Sequence, residues 1–292
     1  MRKGVSGQSA RRICMRFTKM EGTGNDYIYI NGFVEDIQDP AALSVKMSRY
    51  HFGCGSDGLI LILPGDIADF RMRMFNSDGS ESGMCGNGIR CVAKYCYERG
   101  LTGKTAFTIE SGGEIKRIFC NLKGGAVESV RVDMGEPVLD GLLIPSTILG
   151  NPVVRYPLVA DGKTWPVTLV SVGNPHAVIF VDDLDVAPVG AVGSILERDP
   201  VFPERANIEF VTVKDREHIT MRVWERGTGE TMACGTGACA SAVAAILNGF
   251  TERDVEVRLP GGKLRVEWIK TEHRVYMTGG AEFVYEGEWL GM

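Results

Sequence analysis

The chain has 292 residues, 44% of them hydrophobic, and a formal net charge of −5. That is material for two ordinary domains. The acidic balance argues against a dedicated nucleic-acid binder, which carries a basic patch, and no run approaches the roughly 18–20 apolar residues of a membrane-spanning helix.

Residues 1–14 are basic, but no apolar stretch follows Arg11 and Arg12 as a secretory signal requires. They read as a disordered extension before a folded part that starts at Met15, and the cytoplasm is the default compartment. Short runs rich in β-branched or aromatic residues then predict strands at Tyr27–Ile30, Leu59–Leu63 and Phe70–Phe75, bounded by Gly, Asn, Asp or Pro. A helix is expected over Gly88–Arg99, closed by Gly100. Further strands follow at Ala177–Val181 and Ile208–Val213, then a second helix over Thr236–Asn248, closed by Gly249.

Both helices begin just after a Cys-Gly-x-Gly turn, and this points to an internal repeat. Cys85-Gly86-Asn87-Gly88 falls on Cys234-Gly235-Thr236-Gly237 at an offset of 149 residues. The same shift places Met72–Asn76 on Met221–Glu225, Gly24-Asn25 on Gly173-Asn174, Gly112-Gly113 on Gly261-Gly262, and Gly58 on Asn207. One such match between Gly-rich turns is chance; five without a gap are better explained by two copies of one domain. The expected organisation is α/β, with two pseudo-symmetric domains, each a mixed barrel-like sheet wrapped around a central helix. The N-terminal copy spans 15–133 and the C-terminal copy 134–279, split near Asp133–Val138. The last strand, within 280–292, is free to cross back to the first copy. A pseudo-twofold would bring the two cysteine turns face to face, a favoured place for a ligand.

There are eight cysteines, expected to be reduced in a cytosolic chain. Most are small buried hydrophobes, and Cys91, Cys96 and Cys239, inside helices, fit that description. Cys85 and Cys234 differ. A helix N-terminus offers unpaired N–H groups and the positive end of the macrodipole, which tends to lower a thiol pKa. The flanking glycines let a carboxylate approach the same turns. Two such thiols on opposite faces of one carbon suit inversion α to a carboxylate, where one group takes a proton and the other delivers one. The site must also stabilise developing negative charge and exclude water. Zinc is disfavoured because Cys85, Cys91 and Cys96 are spaced more widely than usual zinc pairs. The dinucleotide-like Gly235-x-Gly237-x-x-Ala240 is disfavoured because it does not directly follow a strand.

Asn25, Asn76, Asn87, Asn174 and Asn207 lie at strand ends or turns. Each alone is ordinary turn chemistry; together they make a ring of uncharged donors and acceptors suited to a zwitterion. Arg226 is either a bidentate grip on a second carboxylate or half of a surface ion pair. His176 is either a cation that favours a thiolate or a core histidine, and Glu225 would act in the opposite sense on a thiolate beside it.

From Met15 onward the chain resembles the diaminopimelate epimerase family. The likeness rests on Gly24–Tyr27, Phe75–Glu81, Cys85–Gly88, Gly173–His176, Arg205–Ile208, Glu225–Gly227 and Ala233–Ala238. The resemblance implies interconversion of LL- and meso-diaminopimelate, in lysine and peptidoglycan precursor synthesis, with no cofactor (neither pyridoxal phosphate nor metal). It implies Cys85 and Cys234 as acid/base thiols and Asn25, Asn76, Asn174, Asn207 and Arg226 as substrate contacts, with Glu225 beside them. It assigns Gly86-Asn87 and Gly235-Thr236 to the carboxylate of the reacting centre, and His176 and Glu225 to poising the thiols. A homodimer is expected, with no nucleic-acid or membrane partner. Gly58 departs from the family, where some members carry Gln; Thr23 and Tyr27 depart more mildly. Three rivals stay open: a two-thiol epimerase of proline, hydroxyproline or another amino acid, a single-base isomerase, and an amino-acid-binding module. The second should lack one cysteine, and the third does not explain a matched pair.

Overall fold

The structure, a computed structural model, describes residues 14–291; of the leader expected over 1–14, only Cys14 lies among them. The first half runs β1 (Met15–Gly22), β2 (Asn25–Asn31), α1 (Pro40–Ser48), β3 (Gly58–Pro64), β4 (Phe70–Asn76), β5 (Glu81–Ser82), α2 (Gly86–Glu98), β6 (Ala106–Ser111), β7 (Glu114–Lys123) and β8 (Ala126–Gly135). After β9 (Tyr156–Ala160) the same order returns as β10 (Lys163–Ser171), β11 (Pro175–Phe180), α3 (Val189–Leu196), β12 (Asn207–Val213) and β13 (His218–Glu225). It continues with β14 (Gly229–Thr231), α4 (Gly235–Leu247), β15 (Asp254–Leu259), β16 (Gly262–Ile269) and β17 (Arg274–Gly279), and β18 (Glu282–Trp289) closes the chain.

The pairing repeats with the order. β2–β3 and β11–β12 are parallel, as are β4–β6 and β13–β15; the remaining neighbours are antiparallel. β18 pairs with β1 as β9 pairs with β10, so the end of the chain returns to its beginning. The halves meet where β8 pairs with β17, and Val138 bridges to Ser171 just beyond. All strands belong to one mixed sheet. Among the described residues, the four helices are few and short against it, a sheet-dominated α/β fold.

Local sequence explains the layering. In β2, Tyr27 and Tyr29 face the inner core around α2, while Ile28 and Ile30 face α1. A strand covered on both sides has no polar face to show, hence its nearly continuous apolar run. β12 is built the same way, with Ile208 and Phe210 toward α3 and Val211 toward the core around α4. α2 packs on β1, β2, β7 and β8, and α4 on β10–β13 and β15–β17. Both are enclosed by strands. Ile89 and Val92 of α2 and Val243 of α4 are fully buried, each worth roughly 1.5–3 kcal/mol relative to exposure.

The helices begin close to where the repeat predicts, at Gly86 and Gly235. Outside them the sequence signal was weaker: α1 and α3 were not anticipated. α1 starts with an Asp39 cap and Pro40, whereas α3 has no side-chain cap. Among the described residues, no helix is long and apolar enough to cross a membrane.

Candidate active site

Two short hairpins, β4–β5 and β13–β14, deliver the cysteine turns, and each is clamped by an equivalent ion pair. Arg73 holds Glu81 at 2.7 Å, and Arg222 holds Glu230 at 2.7 Å. Cys85 and Cys234 then cap α2 and α4 with nearly the same backbone, φ −131° and ψ 114° against φ −123° and ψ 110°. Each sulfur accepts from the N–H three residues on, Gly88 at 3.2 Å and Gly237 at 3.4 Å. Both cysteines are free thiols.

The helix starts meet. A methyl placed on Gly235 would lie 3.4 Å from Gly86 Cα, and one on Gly86 would lie 2.9 Å from Met277 Cε. The approach is close, and a side chain at either glycine would press on Met277; the first-turn N–H groups of both helices, which lack helical acceptors, converge on one region. That region is the wall of a cavity of about 910 Å³. Cys85, Cys234, Asn25, Asn76, Gly86, Asn87, Asn174, Asn207, Glu225, Arg226, Gly235 and Thr236 all line it.

Their bonding differs in detail. The Cys85 thiol donates to Asn25 Oδ1 at 3.3 Å, and Asn25 Nδ2 donates to Asp57 at 2.6 Å. Cys234 Sγ lies 3.4 Å from Thr236 Oγ1. Asn87 reaches across the halves toward the Ala233 carbonyl at 3.5 Å and accepts from Arg90 at 3.0 Å. Asn207 is committed to the scaffold, donating to the Pro175 carbonyl and accepting from the Arg226 N–H. Arg226 makes no ion pair with Glu225; its guanidinium donates to the Glu204 carbonyl at 3.0 Å and is otherwise exposed. Glu225 accepts from the Thr231 hydroxyl.

One expectation is corrected and one open alternative is decided. Neither thiol pKa is lowered. Burial pushes Cys85 up, and the Gly88 and Asn87 N–H groups and Arg90 offset only part of this, while Glu225 adds to it. Cys234 is pushed well above the ordinary thiol range, by burial first and then by Glu225 and Glu209. Helix-end polarity is present at both thiols, but desolvation outweighs it. Nor does His176 face a thiol. It is fully buried behind the cavity wall, with Nδ1 2.6 Å from Glu209 Oε1 and Nε2 2.9 Å from Asn174 Oδ1, and it reaches the site through those two neighbours.

Sequence reasoning missed Asp57, Arg90 and Glu209. Asp57 lines the cavity beside Gly58, where the family likeness pointed to a lost polar side chain. A side chain at Gly58 has no room, since its Cβ would lie 2.1 Å from the Phe75 carbonyl. Arg90 is fully buried and ties Gly86, Asn87, Thr23 and Gly280 together. The available signal for Glu209 was a carboxylate inside the apolar run Ile208–Val213. Cys91, Cys96 and Cys239 pack in the core, and burial pushes Cys91 and Cys239 up to about 12. Among the described residues, no three His, Cys, Asp or Glu are grouped to hold a metal ion.

A cavity with two helix-capping thiols, two converging helix starts and an exposed guanidinium narrows the comparison with known proteins. The family model for diaminopimelate epimerase matches residues 17–139 and 168–284. The chain belongs to the diaminopimelate epimerase family. A diaminopimelate epimerase of Acetivibrio thermocellus is 52% identical over 94% of this chain and 98% of its own length. That of Desulfovibrio desulfuricans is 50% identical over 95% and 99%, and that of Methanococcus maripaludis 48% over 94% and 99%. Solved structures extend the fold beyond the family. A phenazine biosynthesis protein of the PhzF family from Bacillus anthracis is 20% identical with a TM-score of 0.67, covering 94% of this chain and 99% of its own. A hydroxyproline epimerase from Agrobacterium vitis is 14% identical with a TM-score of 0.68, covering 94% and 91%. At such identities the likeness is of fold alone. Family members are amino-acid epimerases, and the chain is an isomerase of that class.

Proposed function

We propose that the chain interconverts LL- and meso-2,6-diaminopimelate by a two-base thiol mechanism, in the supply of lysine and peptidoglycan precursors, without pyridoxal phosphate or metal. The observation that carries this reading is the pair of equivalent helix-capping thiols, Cys85 and Cys234, on one cavity. The repeat over 15–133, with the returning strand from 280–292, supplies one thiol, and the repeat over 134–279 supplies the other. One cysteine, as thiolate, takes the α-proton from one face and becomes a thiol. The other gives its proton to the opposite face and is left as thiolate, so the carbon inverts and one negative charge has moved across it.

The N–H groups of Gly86-Asn87 and Gly235-Thr236 would hold the α-carboxylate and take up the charge that develops when the proton leaves. A bound α-ammonium places a cation beside the thiols and lowers their pKa, which offsets the burial that keeps them protonated. Asn25, Asn76 and Asn174 would orient the polar groups of the zwitterion, Asn207 would fix the Arg226 turn, and Arg226 would grip the distal carboxylate in a bidentate pair. Glu225 and His176 set the local field, His176 through Glu209. The wider reading is a cytoplasmic homodimer without nucleic-acid or membrane partners, which sedimentation of the purified protein tests.

The activity test is purified protein with LL-diaminopimelate in deuterium oxide, with a chelator and no added cofactor, followed by NMR. α-Proton exchange with meso product supports the reading. No exchange, with both thiols shown to be reduced, would leave the fold standing and move the search to proline, hydroxyproline or other amino acids.

A further inference from the structure

We infer that Glu209 is a positioning residue that holds Cys234 in its protonated form, making it the proton donor of the resting pair while Cys85 is the first to yield a thiolate. The inference rests on the two-thiol reading. It is carried by a difference between positions that the repeat makes equivalent.

Under the first turn of α4, a Cβ on Gly237 would sit 2.9 Å from Glu209 Oε1 and 3.3 Å from Cys234 Sγ. Under the first turn of α2, a Cβ on Gly88 would sit 2.7 Å from Ile60 Cδ1 and 3.6 Å from Cys85 Sγ. The two strands present the same inward position to the same helix turn. One fills it with a carboxyl group and the other with a methyl.

Glu209 is fully buried, and its Oε2 has no hydrogen-bond partner. A carboxyl group in that state costs stability, a cost the first half avoids with Ile60. The opposite asymmetry stands beside Cys85, where α2 carries the fully buried Arg90; α4 has Cys239 at the equivalent position. Burial raises the Glu209 carboxyl while the adjacent His176 lowers it; in its ionised form this carboxylate under one thiol, with a cation near the other, biases the pair in one direction.

The charged and titratable groups facing Cys234 are Glu225 from β13 and Glu209 from β12, with His176 of β11 behind Glu209. Around Cys85 they are Arg90 and Cys91 on its own helix, Tyr27 and Tyr29 from β2, and Glu225. Glu225 raises both thiols, and at Cys234 it outweighs Glu209, so the effect of Glu209 is superposed on that of Glu225. Both ring nitrogens of His176 face oxygens, Glu209 Oε1 and Asn174 Oδ1, which ties the carboxyl group under α4 to a residue of the cavity wall.

The test is peptide-resolved alkylation by iodoacetamide, read by mass spectrometry across a pH series, for the wild type, Glu209→Gln and Glu209→Asp. In the wild type the Cys85 labelling midpoint should lie below that of Cys234. Glu209→Gln should bring the Cys234 midpoint down by about one pH unit, about tenfold faster labelling at a fixed pH below it, and leave Cys85 unmoved. Glu209→Asp, which keeps the charge, should stay close to wild type. An unmoved Cys234 in Glu209→Gln, or a wild-type order with Cys234 first, overturns the inference. If Glu209→Gln does not fold, the wild-type order decides. Labelling needs no turnover, so the inference can fail while epimerisation through both thiols stands. The two-thiol reading, in turn, can fail with Glu209 still setting the Cys234 midpoint.

Discussion

The two halves are alike in the backbone that holds each thiol and unlike in the polar and charged groups set around it. Cys85 and Cys234 share a cap geometry, an N–H bond to sulfur and an Arg–Glu clamp on the preceding hairpin. Around them the equivalent positions diverge: at the repeat offset Asn76 corresponds to Glu225, Ser77 to Arg226, and Gly58 to Asn207. Inversion needs two groups of the same competence on opposite faces, so duplication serves it directly. Recognition of a substrate with two different ends needs the copies to differ, and among the described residues only the C-terminal copy puts a guanidinium, that of Arg226, on the cavity wall.

The hardest test of the symmetric part is to remove one thiol at a time. Cys85→Ala and Cys234→Ala should each cut LL-to-meso conversion on the order of a thousandfold or more, since each removes one of the two proton carriers. A chiral assay of product checks this, and near-wild-type conversion by either variant breaks the comparison at its root.

The asymmetric part comes next. Arg226→Ala should raise KM for diaminopimelate by roughly ten- to a hundredfold with a smaller change in kcat, the loss expected for a charge-assisted pair. Ser77→Ala, its counterpart, should change KM little. Equal effects would show that the grip is shared.

The contact between the helix starts should answer to a single methyl. Gly235→Ala meets Met277 Sδ at 3.2 Å and Gly86 Cα at 3.4 Å. It should lower kcat/KM by about tenfold through misplaced N–H donors, whereas Gly103→Ala, which meets nothing within 4 Å, should be silent.

The smallest effect on activity belongs to the seam. Burial alone would raise the Asp133 carboxyl, but Arg274 at 2.8 Å, Arg117 and the Gly135 N–H hold it below its ordinary value. A depressed carboxyl pKa contributes stability that is present above the unfolded value and lost as pH falls through the folded one. Asp133→Asn should therefore cost about 2 kcal/mol at neutral pH, read from a denaturant midpoint. The difference from wild type should shrink only below the ordinary carboxyl pKa of 3.8, with kcat unchanged.

Much of this was legible in the sequence because the repeat is gap-free around the cysteines. A fixed offset located both turns and both central helices, and the asparagines followed as residues near those turns. α1 and α3 escaped because helices of nine and eight residues carry little periodic signal. Glu209 and Arg90 escaped for a different reason. Glu209 sits inside a strand that reads as apolar, and Arg90 is one of three charged residues on α2; only packing reveals which of them is fully buried. The thiol pKa values escaped as well, because a helix start is visible in sequence and the depth of its burial is not.

The most direct measurement of the central claim is the isotope content of product and residual substrate early in a wild-type reaction run in deuterium oxide. Two thiols on opposite faces predict meso product carrying solvent deuterium at the inverted carbon while residual LL substrate keeps its hydrogen. Product that retains the substrate's own α-hydrogen would show one base serving both faces, and would contradict the account.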